Sequence, residues 1–267
     1  SGNDAALQSL LSQPQWIKTM REKPHSIYSE TTGANGERRA MAHPTLNLDR
    51  CLIAAAQNGH AAVVSTLLAF GKHHSIDTSN ETTMRTIITK IIRHGHAAVF
   101  KALATADPNV VRFRFPHGTL PLYEAVRQRE TEVAAVLLEL GADPLHPVQP
   151  SKEIGGYHSS LMSFAAFAEG PRMTELLLAH GCSLPFSAAL HTAARYGKLD
   201  TMRILMQHGA DMNEVLSGWR SWTPMHFAAS KGQVDAMKLL EQHGALSDLK
   251  DGDGNTPAQL LEKDITA

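Results

Sequence analysis

A short pattern recurs along most of the chain and constrains its fold more than any other feature. It is a pair of small or aliphatic residues, then a Gly or a stand-in three positions on, then a Leu-rich amphipathic stretch. Ala55-Ala56-Gln57-Asn58-Gly59 runs into HAAVVSTLLAFG, and Ile91-Ile92-Arg93-His94-Gly95 into HAAVFKALA. Ala125-Val126-Arg127-Gln128-Arg129 runs into ETEVAAVLLELGAD, and Ala165-Ala166-Phe167-Ala168-Glu169 into GPRMTELLLAHG. Ala193-Ala194-Arg195-Tyr196-Gly197 and Ala228-Ala229-Ser230-Lys231-Gly232 repeat the pattern, and Thr256-Pro257-Ala258-Gln259-Leu260-Leu261 starts it once more and stops after one helix. Anchors at 55, 91, 125, 165, 193, 228 and 261 give a mean period of about 34 residues, which is a repeat architecture rather than a closed globule.

The chemistry inside one copy explains the pattern. Thr223 is a suitable helix N-cap, and Pro224 fits the first helical position, where a missing N–H is harmless. Paired alanines let neighbouring copies approach closely. Val234, Met237, Leu239 and Leu240 place an apolar stripe on the second helix. Gly209 and Gly244 sit where helix-ending glycines belong. A single helix pair can bury its stripe only against its neighbours, so stability is a sum of seams.

On these residues the chain resembles the ankyrin repeat family. Thr223-Pro224-Met225-His226-Phe227-Ala228-Ala229 is similar to the family's T-P-L-H-x-A-A, with weaker echoes in Leu120-Pro121-Leu122-Tyr123 and Ala189-Leu190-His191. The resemblance implies an all-α ankyrin-repeat solenoid of stacked helix-turn-helix units with short hairpin fingers. About six repeats and a C-terminal cap occupy residues 46–262. Residues 1–45 are expected to form an N-terminal helical cap and a turn-rich segment, with helices near Asp4–Leu11 and Gln15–Met20, and residues 263–267 a tail. Residues 146–156 (HPVQPSKEIGG) read as an insertion, and the short fifth copy predicts a truncated finger.

Composition narrows the function. A net charge of −1 lacks the basic excess that phosphate neutralisation demands, so nucleic acid is not an expected partner. Two cysteines, Cys51 and Cys182, lie far apart and outside any ligand motif, which favours a reducing compartment. No apolar run approaches bilayer length, and DAALQSLL is too polar for a signal peptide, so neither a membrane span nor a leader is expected. The expected location is the cytoplasm or nucleus.

Fifteen histidines invite a metal reading, but most have structural roles. The resemblance implies that His191 and His226 bond the backbone of the adjacent turn. His180, His208 and His243 precede helix-ending glycines and suit the negative helix end. No metal-ligand spacing or cofactor motif is present, so no metal or cofactor is expected. Asp251-Gly252-Asp253-Gly254-Asn255 with Glu262 imitates a calcium loop, but Thr256 replaces its turn glycine and already starts a helix.

One constellation points to function. In the fold that the resemblance implies, the residues between the small pair and the Gly face the concave groove. They include Arg93, Arg127, Phe167, Arg195, Tyr196 and Lys231, with Arg129 at the Gly position itself, a set suited to an acidic protein or peptide because the guanidinium fork matches carboxylates. A second candidate patch is the finger Trp219-Arg220-Ser221-Trp222, with a counterpart in Phe113 and Phe115, since Trp and Arg are enriched at binding hot spots. The expected function is a monomeric protein-binding module. The alternatives are a small-molecule isomerase, cyclase or hydrolase using Tyr157, His158, Glu169 and Tyr196, or a regulatory subunit that covers an enzyme.

Overall fold

The protein is described by a computed structural model over residues 2–22, 25–32, 38–78, 80–145, 160–185, 187–216 and 220–265. Two compact units emerge. The first comprises residues 1–115 with 132–141, and the second 116–131 with 142–267.

The first unit opens with α1 (Gly2–Leu11) and α2 (Pro14–Arg21), close to the two helices expected there. The segment read as turn-rich contributes an antiparallel ladder, β1 (His25–Thr32) with β2 (Arg38–Thr45), in the register His25↔Thr45 to Thr32↔Arg38. Two repeats follow: α3 (Asn47–Gln57) with α4 (Ala61–His73), and α5 (Glu81–Arg93) with α6 (Ala97–Ala106). A 3-10 turn at Pro108–Arg112 follows α6, and α8 (Thr131–Glu139) belongs mostly to this unit. Inner helix α3 packs on α5 and outer helix α4 on α6, while α1 covers α4 and α2 covers α3. Leu48, Leu52, Ile88, Ile91 and Ile92 are fully buried between them, each stabilising by roughly 1.5–3 kcal/mol.

The second unit repeats the arrangement. Its inner helices are α7 (Pro121–Arg127), α9 (Leu161–Phe167), α11 (Ala189–Arg195), α13 (Pro224–Ala229) and α15 (Pro257–Ile265), packed in that order. The outer helices α10 (Arg172–Ala179), α12 (Leu199–Gln207) and α14 (Val234–Gln242) form a second layer. The paired alanines make the inner seams. Ala165, Ala166, Ala193, Ala194, Ala228 and Ala229 have no exposed surface, so adding methylenes there costs about 1–3 kcal/mol through overpacking. One detail departs from expectation: Val234 is exposed, and the stripe of α14 runs through Ala236, Leu239 and Leu240.

The expected helix ends are in place. Gly209 and Gly244 have φ of 85° and 95°. The His208 and His243 Nδ1–H groups donate to the carbonyls of Ile204 (2.9 Å) and Leu239 (2.8 Å). His226 Nδ1 accepts from the Thr223 backbone N–H (3.2 Å) while Nε2–H donates to the Asn255 carbonyl (3.2 Å), tying one finger to the next. Among the described residues, no helix is long and apolar enough to cross a membrane.

Candidate functional site

The inner helices α3, α5, α7, α11 and α13 each close in a tight turn. The turn needs a left-handed residue, which glycine adopts without a Cβ clash. Gly59 (φ 77°), Gly95 (69°), Gly197 (63°) and Gly232 (62°) fill this position, and at Gly59 a Cβ would also meet the His96 ring at 2.9 Å. The fourth repeat is remodelled: α9 stops at Phe167, Ala168 is buried, and the left-handed residue is Gly170.

Arg129 holds the same position in the third repeat, with φ 66°. A side chain in the left-handed region costs about 1–2 kcal/mol. Its guanidinium carbon lies 4.6 Å from the centroid of the Phe167 ring, within cation–π range. Phe167 meets Tyr196 edge-on at 4.6 Å, and the Arg195 guanidinium carbon lies 5.8 Å from the Tyr196 centroid. Tyr196 remains 43% exposed, an unusual retention for a large ring with neighbours on hand. Phe164, Phe167, Tyr196, Ser163 and Thr192 line a cleft of about 180 Å³. At its base the buried Ser163 and Thr192 hydroxyls are 3.3 Å apart.

The other groove candidates divide by what they touch. In the first unit Arg93 is exposed at the end of α5, beside His94, whose ring stacks on His96 at 5.8 Å. His96 Nε2–H donates to the Gln57 carbonyl (3.0 Å). In the second unit Arg127 is exposed and donates to Glu124 Oε2 through Nη2 (2.6 Å) and Nε (3.0 Å). Lys231 is exposed after α13.

Trp219 lies outside the described residues. Arg220 and Ser221 take successive positive φ values of 51° and 58°, the mirror-image turn that suits a hairpin tip. Arg220 is exposed but paired with Asp253 (2.9 Å). Trp222 packs edge-on against Phe227 at 5.2 Å, and its indole N–H donates to Asp251 (3.0 Å). The half-buried ring therefore links two fingers. Asp251 explains itself in the same way. Burial alone would raise its carboxyl, but amide donors from Asn255 and Asp253 and the Trp222 indole hold it below the ordinary value. The segment that imitates a calcium loop is a finger turn organised around that carboxylate. Phe113 and Phe115 are half-buried and pack against each other edge-on at 5.4 Å.

Of the acid–base candidates, Tyr157 and His158 lie outside the described residues, and Glu169 is exposed. Burial raises the pKa of the Cys51 thiol, and that of Cys182 to about 11. His191 is 1% exposed, and burial lowers its pKa to about 4 against the opposing effects of the Glu214 carbonyl, which Nε2–H reaches at 2.8 Å, and of Asp211. Among the described residues no group of three or more His, Cys, Asp or Glu gathers in a metal-holding arrangement. Further hollows lie among the described residues. One of about 460 Å³ lies between α1 and α4 beside Phe70 and His74, and one of about 420 Å³ lies beside Pro185, Leu190 and Glu214, where the fifth finger is short.

No curated protein sequence matches this one significantly. Among solved structures, the human ASB11 ankyrin repeat domain superposes with a TM-score of 0.64 at 24% identity, covering 80% of this chain and 96% of that one. The ankyrin repeat domain of Bcl-3, described as a unique member of the IkappaB protein family, gives 0.61 at 19% identity, covering 79% and 96%. Both likenesses concern the fold. The family model for ankyrin repeats (3 copies) matches residues 52–147 and 161–253, and with the seams, caps and fingers described above the chain belongs to the ankyrin repeat family.

Proposed function

We propose that the chain is a protein-binding module that engages an acidic partner through the turns closing its inner helices. The observation that carries this reading is the contrast across each inner helix. One side is sealed by a buried pair (Ile91-Ile92, Ala125-Val126, Ala193-Ala194 or Ala228-Ala229), while the turn that follows exposes Arg93 in the first unit and Arg129, Tyr196 and Lys231 in the second. Cationic side chains at recurring positions in a chain of net charge −1 concentrate positive charge where carboxylates can be met. Ankyrin repeats serve generally in protein–protein interaction, which agrees with this reading.

The test is site-specific cross-linking. A photo-reactive phenylalanine analogue replaces Arg93 or Lys231 on the inner turns, and Asp200 or Lys238, exposed on outer helices, as controls. Irradiation in native extract is expected to give the same cross-linked protein from both inner positions and none from the outer pair. Cross-links confined to the outer positions, or none anywhere, refute the assignment.

A further inference from the structure

The second unit contains a more specific feature than a cationic face. Arg129 occupies the left-handed turn position that four other repeats fill with glycine. The chain thus accepts backbone strain in order to hold a guanidinium at that point, and such an outlier argues for a function of the side chain. The guanidinium is stacked on Phe167 at 4.6 Å, and among the described residues it forms no ion pair. Beside it the cleft has three aromatic walls, Phe164, Phe167 and Tyr196, and two buried hydroxyls at its base. Ser163 and Thr192 share one hydrogen bond, so one hydroxyl hydrogen and further acceptor capacity remain for a third group.

Resting on the reading of the chain as a binding module, we infer that this cleft takes a tyrosine side chain of an acidic segment in the partner, with Arg129 clasping an adjacent carboxylate. Each part of the occupant answers a part of the site. An aromatic ring can meet the Phe164, Phe167 and Tyr196 rings edge-to-face, the arrangement in which Phe167 already meets Tyr196 and Phe164 meets Tyr123. A phenol oxygen can both donate to and accept from the paired hydroxyls at the base, which a phenylalanine cannot. A carboxylate next to the ring completes a guanidinium already held over Phe167, which lowers the side-chain freedom lost on binding.

The experiment measures fluorescence anisotropy with a short fluorescein-labelled peptide of glutamates around one central tyrosine. Control peptides carry alanine in place of the tyrosine, or glutamines in place of the glutamates. The protein variants are Arg129→Gly and Tyr196→Ala. Arg129→Gly keeps the turn, because glycine is the ordinary residue there, so a loss of binding cannot be assigned to misfolding. The expected result is saturable binding of the tyrosine peptide, weakened roughly ten- to hundredfold by its alanine substitution, the value of one buried aromatic ring. Arg129→Gly is expected to weaken it about tenfold and to flatten its salt dependence. Equal binding of the tyrosine and alanine peptides, or of wild type and Arg129→Gly, overturns the assignment. If the doubly substituted chain still cross-links its partner from Arg93, only this subsite fails. If those cross-links vanish in wild type as well, the broader reading fails with it.

Discussion

Acidification should loosen the second unit through His191 in particular, and the size of the effect can be worked out. The ring is 1% exposed, donates Nε2–H to the Glu214 carbonyl at 2.8 Å and lies edge-on to Phe227 at 5.5 Å. Burial depresses its pKa from 6.5 to about 4. A histidine depressed in this way stays neutral in the fold while the unfolded chain takes up a proton below pH 6.5. Stability is therefore fully present above about pH 6.5 and is lost as the pH falls toward 4. The span corresponds to about 3 kcal/mol, at 1.36 kcal/mol per tenfold change in proton affinity. His191→Gln retains an N–H donor for Glu214 but cannot titrate. Urea unfolding of both proteins, followed by circular dichroism from pH 7 to pH 4, isolates the effect, since other titrating groups, including the buried and likewise depressed His226, cancel in the difference. The wild-type advantage should shrink by about 3 kcal/mol across that window. A constant difference, or one that grows on acidification, refutes the reasoning.

Two further outcomes are expected. Gly59→Ala should cost about 2–3 kcal/mol, combining left-handed strain with displacement of the hydrogen-bonded His96 ring, whereas Gly209→Ala, with no atom within 4 Å of the new methyl, should cost only about 1 kcal/mol; in a His96→Ala background the two penalties should converge, as a double-mutant cycle by urea titration would measure. Trp222→Phe keeps the packing on Phe227 but removes a donor from the buried Asp251, and a loss of about 1–3 kcal/mol in the unfolding free energy is expected, an unchanged value arguing that the finger link is idle.

Local chemistry made much of this fold legible in the sequence. The alanine pairs, the helix-ending glycines, the capping Thr223 and the backbone-bonding His191 and His226 all act within a few residues or at the repeat distance, so their spacing carries their role. Features that depend on distant partners were not legible. The ladder of β1 and β2 lies where turn residues dominate the reading, and only the pairing of one strand with the other reveals it. Trp222 and Asp251 looked like two separate puzzles, an exposed ring and a calcium-like carboxylate, and each is the other's partner across 29 residues. Arg127 read as an anchor, and its surface pair with Glu124 three residues earlier adds a neighbour that the reading did not include. Arg129 carried its own signal, an arginine where glycine recurs, but the ring beneath it belongs to the next repeat.

The division of the chain has a practical consequence for anyone who cuts it. The boundary of compactness passes through the third repeat, assigning residues 116–131 and 132–141 to different units. A fragment beginning at residue 142, which follows the sequence period, would strip α7 from α9 and leave Phe164 without Tyr123, its edge-on neighbour at 5.4 Å. The period by which such a chain is spelled is thus not the grain along which it divides: a cut before residue 116 takes residues 132–141 from the first unit, and a cut after residue 141 takes residues 116–131 from the second.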